Sequence, residues 1–290
     1  MSTFSGTKYD ASAYLAHRPV YPESLYLYLR EYIGLSGDEK INVAADVACG
    51  SGQASLPLAE ILAQKVVGVD MSDIMLAKAK ERLEMVAVQN PGLSKRISFE
   101  CSDDRSLNDL FRPHSLDLIT VAEAAHWFEY PQFWHNCHNL LKQGGVLAFW
   151  GYFRFSFEGY PESNDVIKEF GESDNKCGPY WDKGHKQLRD LYRDLKLPSE
   201  LFTKEVRIVS ESDDFEHTGP FELRRANASV RDMVDLLKTY SAYHNYKKEN
   251  PNGVDILDET IDELLQKTGL NLDSQVNVKW ETVLVCGTAK

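Results

Sequence analysis

The stretch "DVACGSGQAS", residues 46–55, constrains the fold more than any other part of the chain. It follows the apolar run Val43–Ala45 and precedes "LPLAEILA". A β-branched and small-residue run, a glycine-bearing turn and an apolar periodic segment predict a buried strand, a tight turn and a helix. The same rhythm recurs. "KVVGVDMS" (65–72) reads as a second strand ending at Asp70, with Ser72 capping a helix through about Val86. "RISFECSDD" (96–104), "SLDLITVAEAAHWF" (115–128) and "VLAFWGYF" (146–153) supply the third to fifth strands, and a helix around 131–142 stops at Gly144-Gly145. Strand and helix alternating through 41–150 predict a parallel sheet with helices on both faces. Right-handed crossovers then gather the strand ends, and any ligand, along one edge.

After residue 151 the rhythm changes. Two more strands, 203–210 and 276–287, complete an expected α/β, Rossmann-like, doubly wound, seven-stranded and mostly parallel sheet. About 65 residues separate these two strands, far more than a simple connection needs. Within that interval "SVRDMVDLLKTYSAYHNYKK" (229–248) is amphipathic and opens on a Ser229–Asp232 capping pair, and "DILDETIDELLQK" (255–267) is a second such helix. The expected organisation is one domain over 1–290. It comprises an N-terminal arm (1–34), a cofactor-binding core (35–150, with the strands near 203–210 and 276–287) and helical cap insertions at 151–202 and 211–275.

The formal net charge of −12 argues against a nucleic-acid partner, since phosphate binding needs clustered Lys and Arg. An anionic substrate would need a local basic pocket. The five cysteines, Cys49, Cys101, Cys137, Cys177 and Cys286, are scattered without a C-x-x-C pair and suggest reduced thiols in a cytoplasmic protein. The opening residues lack a secretory pattern, no stretch approaches the ~18 apolar residues of a membrane span, and Cys286 lies one place too far from the end for prenylation. "HNCH" (135–138) has the elements of a metal site but no second ligand cluster, so no metal is expected. No obligate protein partner is evident.

The turn selects among cofactors. A dinucleotide fingerprint wants three glycines; Gly50 and Gly52 supply two, and Ser55 stands at the third. Asp46, just before the turn, suits a ligand with a cationic end better than a pyrophosphate. Asp70 is placed to accept from both ribose hydroxyls, and Asp103-Asp104 to meet an adenine edge. Adenine, ribose and a cationic amino-acid tail together describe S-adenosylmethionine; an NAD(P) oxidoreductase is the rival reading.

"DVACGSG", "VDMS", the acidic pair after the third strand and "AEAAHWF" after the fourth resemble the class I S-adenosylmethionine-dependent methyltransferases. The opening "Y…HRPVYP", with "AHWF" (125–128), "FWGY" (149–152), "GPYW" (178–181) and "YSAYHNY" (240–246), is most similar to the fungal trans-aconitate methyltransferases, over nearly the whole chain. The resemblance implies that Tyr14 and Arg18 close over the carboxylate end of the cofactor. It also implies that Met71 and Glu123 join the cofactor site, that His126 and Trp127 border the transferring methyl, and that Tyr152, Tyr180 and Trp181 wall the pocket. One departure is Ala48, where the family usually has glycine; alanine there implies either a permitted backbone conformation or a slightly displaced cofactor.

Methyl transfer from a sulfonium is an in-line displacement, and a carboxylate is already ionised at neutral pH, so esterifying it needs no general base. A polycarboxylate does need cationic anchors, for which Arg154, Arg224 and Arg225 are the candidates, guanidinium forks matching carboxylates in a bidentate manner. The expected activity is O-methylation of a small polycarboxylic acid, trans-aconitate first. The alternatives are a methyltransferase for another small molecule or xenobiotic, or a cofactor-binding protein without catalysis. The Asn/Asp-Pro-Pro-aromatic motif of base methylation is missing after the fourth strand.

Overall fold

The computed structural model describes residues 18–216 and 219–290. Its centre is a sheet whose strands are β1 (Ile41–Val47), β2 (Ala63–Asp70), β3 (Ile97–Cys101), β4 (Leu116–Ala122), β5 (Leu141–Phe157), β6 (Phe202–Ser210), β7 (Arg224–Ser229) and β8 (Gln275–Ala289). The main path runs β3-β2-β1-β4-β5-β8-β6. The pairs β1–β2, β1–β4, β2–β3 and β4–β5 are parallel, whereas β8 runs antiparallel to β5, β6 and β7. Seven strands on that path match the expected number. The short β7 is an addition, pairing with β8 alongside the main path.

The order reverses between β1 and β4, which opens a crevice at their C-terminal ends. Both faces of the sheet are covered. Successive β5 residues enter opposite cores: Trp150 belongs to one with Tyr26 and Trp280, and Phe149 to the other with Phe133 and Val285. Six of the seven β1 side chains are buried or half-buried, as a central parallel strand requires.

Helix ends follow local chemistry. Ser72 accepts the Met75 N–H and starts the helix Asp73–Ala87, and Ser229 and Asp232 form a reciprocal capping box at Val230–Lys238. The amphipathic stretch expected as one helix over 229–248 divides at Thr239–Tyr240 into Val230–Lys238 and Ser241–Glu249. There the Thr239 hydroxyl donates to the Leu236 carbonyl, a local bond that competes with continuing the helix. Two expected boundaries also move. β5 begins at Leu141 and continues to Phe157, past the assumed start of the cap at 151, and β7 lies inside the assumed second insertion. The helices Glu162–Glu172 and Ile256–Thr268 pack against each other, and the short helix His185–Arg189 lies on β5.

Candidate active site

A cavity of about 780 Å³ opens at the C-terminal ends of β1, β2, β4 and β5. On the β1–β2 side it is lined by Ala48, Gly50, Asp70 and Met71, and by Asp104 from beyond β3. On the other side stand Glu123, His126 and Trp127 after β4, Tyr152 on β5, and Arg18 and Trp181 from outside the sheet. These eleven sequence-selected residues come together although they span most of the chain. Tyr14 lies outside the described residues.

The turn after β1 contains three left-handed residues, Ala48 (φ 57°), Gly50 (φ 54°) and Gly52 (φ 74°). Ala48 therefore holds the conformation glycine would hold, rather than an ordinary permitted one, at a strain of about 1–2 kcal/mol. Gly52 does not line the cavity. A Cβ there would stand 3.0 Å from Phe99, 3.2 Å from Leu56 and 3.3 Å from Ala79, so this glycine serves helix–sheet packing. Asp46 is fully buried beneath the turn. It accepts from the Ser55 hydroxyl at 2.5 Å and the Thr120 hydroxyl at 2.9 Å, and burial pushes its carboxyl up to about 6. It ties β1 to β4 and to the helical segment after the turn; it is not a direct contact to the cavity.

Asp70 ends β2 with both oxygens engaged: Gly50 N–H donates to Oδ2 at 2.8 Å and Ser72 N–H to Oδ1 at 2.9 Å. Each oxygen keeps a lone pair for a ligand hydroxyl. The Cys49 N–H donates to Val69 and the Gly52 N–H to Cys49. Three donors of the turn are thus satisfied by the protein itself, one of them by a carboxylate. Asp104 faces the cavity with its carboxyl raised by burial. Asp103 turns away, held by Arg105 at 2.9 Å and the Ser106 N–H at 2.9 Å. Of the acidic pair, one residue lines the cavity and the other closes a turn.

After β4 the backbone is strained again: Glu123 has φ 57°. Its Oε1 accepts the Tyr152 N–H, and enclosure raises the carboxyl to about 8 against the opposing pull of Arg18. His126 is buried, its Nδ1 3.0 Å from the Tyr192 hydroxyl, and burial alone lowers it to about 3, so the imidazole is neutral. Trp127 is half-buried, its ring 4.6 Å from that of His126. The Arg18 guanidinium reaches the Tyr152 hydroxyl at 3.3 Å and lies 5.8 Å and 5.9 Å from the Tyr152 and Tyr240 ring centroids.

Known proteins with similar sequences and structures bear on this site. Residues 45–149 match a methyltransferase domain family. A Saccharomyces cerevisiae protein named probable S-adenosylmethionine-dependent methyltransferase CRG1 is 28% identical over 290 residues, 97% of this chain and 96% of that one. A candidate methyltransferase of Dictyostelium discoideum is 26% identical, covering 90% of this chain and 87% of its own. Among solved structures, a candidate type II methyltransferase from Anaeromyxobacter dehalogenans superposes with a TM-score of 0.69 at 24% identity, over 93% of this chain and 97% of that one. The sheet thus has the class I methyltransferase fold, and residues 45–149 within it are similar to a methyltransferase domain.

S-adenosyl-L-methionine is the cofactor of this domain, and the site suits it. Asp70, Asp104 and Glu129 line the cavity, a set of acids that favours a ligand bearing sulfonium and ammonium charge over a dinucleotide diphosphate.

The fold does not bring every expected substrate contact to the cavity. Arg154 is paired with Glu172 and, at 2.9 Å, with Glu281. β5 and β8 shift register between Tyr152 and Phe155, which breaks the alternation that would put Arg154 on the Tyr152 face. Arg224 pairs with Glu222 at 3.0 Å and Arg225 with Asp232 at 3.4 Å, both on β7. The Tyr180 hydroxyl accepts from Asn250 at 3.2 Å and its ring packs on Tyr246. None of these four residues lines the cavity. In their place the cavity lining presents Phe153, Lys183, His185 and Tyr240. Sequence reading missed these. Tyr240 lies on an apolar helical stripe that reads as core, and Lys183 and His185 sit in an aperiodic stretch whose only signal is its nearness to "GPYW".

Proposed function

We propose that the protein is an O-methyltransferase for a small carboxylic acid, with trans-aconitate the first compound to assay. The supporting observation is the acceptor side of the cavity. It combines aromatic walls with two cations, Arg18 and Lys183, and with imidazoles held neutral by burial, about 3 for His126 and about 2 for His185. An acceptor that arrives already ionised needs charge to meet it and no base to activate it.

When bound, S-adenosyl-L-methionine supplies an electrophilic methyl group. Asp70 and Asp104 would hold its nucleoside end, and the acids around the cavity would favour its positive charge. Glu123, mostly protonated at neutral pH, spares the arriving carboxylate a second negative charge. Trp127, Tyr152 and Trp181 exclude water and fix the approach of the oxygen. Positioning of this kind can lower a barrier by ~7–11 kcal/mol.

The ion pairs of Arg154, Arg224 and Arg225 narrow the reading. Among the described residues two lining cations, Arg18 and Lys183, can meet two carboxylates of a tricarboxylic acid and leave the third to be esterified, while a less charged small molecule or xenobiotic, which needs fewer ion pairs, is the second reading. Mass spectrometry of purified protein incubated with S-adenosylmethionine and a panel of mono-, di- and tricarboxylic acids, phenols and alcohols separates the two. Methyl esters from the acids are expected. Methyl ethers from the hydroxyl compounds alone would overturn the carboxylate assignment.

A further inference from the structure

His185 lines the cavity at the start of the short helix His185–Arg189. Its ring lies flat on Trp181, with centroids 3.4 Å apart and planes 5° from parallel. It meets Phe153 edge-on at 5.0 Å and faces His126 across 6.5 Å. Three rings therefore fix the imidazole plane. The residue is only 8% exposed, yet its Nε2 is buried with no hydrogen-bond partner among the described residues. Buried polar atoms are nearly always paired, and an exception calls for a reason. Packing alone gives none, because a phenyl ring would stack on Trp181 as well without a nitrogen to desolvate.

We propose that His185 is an acceptor-binding residue, its imidazole clamped on Trp181 and supplying a hydrogen bond to the oxygen-bearing group of the acid in the cavity. The inference rests on the reading of the site given under Proposed function. Two placements assign the residue to the acceptor rather than to the cofactor. The residues suited to the nucleoside, Gly50, Asp70 and Asp104, stand on the β1–β3 side, whereas His185 stands with His126 and Phe153 on the β4–β5 side. Its segment is also seated directly on the turn that carries His126: a Cβ on Gly184 would come within 2.0 Å of the His126 carbonyl oxygen. Burial, reinforced by His126, Arg18 and Arg189, keeps the ring uncharged. It thus offers one N–H and one lone pair, a donor for a carboxylate that does not protonate it.

The test compares His185→Phe, which keeps a flat ring on Trp181, with His185→Gln, which restores an N–H. Each is assayed for methyl transfer to the best acid of the panel, and for S-adenosylhomocysteine affinity by calorimetry. A hydrogen bond to a charged group supports a rise in acceptor KM of roughly 10- to 100-fold in His185→Phe. Part of that loss should be recovered in His185→Gln, with S-adenosylhomocysteine affinity within twofold of wild type in both. Wild-type KM in His185→Phe overturns the proposal, as does an equal loss of acceptor and cofactor affinity in both variants. If the wild type methylates only a hydroxyl compound, the proposed function fails, while the same KM comparison on that compound still decides the role of His185. A wild type that methylates nothing in the panel counts against both.

Discussion

Gly184→Ala probes the contact that seats the segment carrying Trp181 and His185 on the turn Ala125–Trp127. Gly184 has φ 93°, outside the range an alanine adopts comfortably, and an added Cβ would lie 2.0 Å from the His126 carbonyl oxygen and 3.1 Å from its carbon. The obstacle is backbone, so no rotamer change relieves it. One segment must retreat from the other by roughly 1 Å to restore an ordinary contact. The conformational strain is about 1–2 kcal/mol and the overpacking about 1–3 kcal/mol. A total of ~2–5 kcal/mol corresponds to a melting temperature lower by about 5–10 °C in a chain of this size. Misplacement by 1 Å near a reacting centre can cost about 100-fold, so kcat/KM for the acceptor should fall about 10- to 100-fold. Cofactor affinity should stay within about twofold, because Gly50, Asp70 and Asp104 belong to other elements. Thermal melts, calorimetry with S-adenosylhomocysteine and steady-state methyl transfer measure the three quantities. An alanine variant with a wild-type melting temperature and kcat/KM within threefold of wild type would refute the close seating of the two segments.

Glu123→Gln should alter how stability depends on pH. The folded carboxyl titrates near 8 against an ordinary value of 4.5, so the folded protein holds a proton that the unfolded chain has lost between those values. Wild-type stability therefore declines as pH rises from 4.5 to 8 and levels off above, and the variant's advantage grows to about 2–4 kcal/mol at pH 9; urea melts giving a constant difference from pH 5 to 9 would reject this. Ala48→Gly relieves the φ 57° strain of about 1–2 kcal/mol and restores about 0.4–1 kcal/mol of unfolded-chain entropy. The net gain is about 0.5–1 kcal/mol in chemical denaturation with equal or tighter cofactor binding, and a less stable variant would contradict it. Arg154→Met strands the carboxylates of Glu172 and Glu281. It should cost about 2–4 kcal/mol of stability while leaving acceptor KM within twofold; a tenfold rise in KM with little loss of stability would return Arg154 to the substrate.

The backbone plan was legible because it is written locally. Hydrophobic runs of strand length, Ser72 and Ser229 as caps, and glycines at the turn predict parallel β/α units and the edge where a ligand binds. The β1–β3 side of the cavity lining was legible for the same reason. Asp70 and Asp104 sit at strand ends, and the C-terminal ends of parallel strands converge wherever the order reverses. Even so, adjacent residues divided. Asp104 faces the cavity and Asp103 is bound to Arg105; Gly50 borders the cavity and Gly52 packs on Phe99.

What only the tertiary structure decided is where long side chains spend their charge. Arg154, Arg224 and Arg225 have the right chemistry for a carboxylate, but a register shift in β5 and the pairing of an eighth strand hand them to Glu281, Glu172, Glu222 and Asp232. His185 lies in a stretch with no helical or strand period, and its place against Trp181 depends on a glycine that lets two distant segments touch. Sequence alone determines which elements form and in what order, because propensity and capping act within a few residues. Which functional groups remain to meet a substrate depends on contacts between residues far apart in the chain, and only the packed fold contains those.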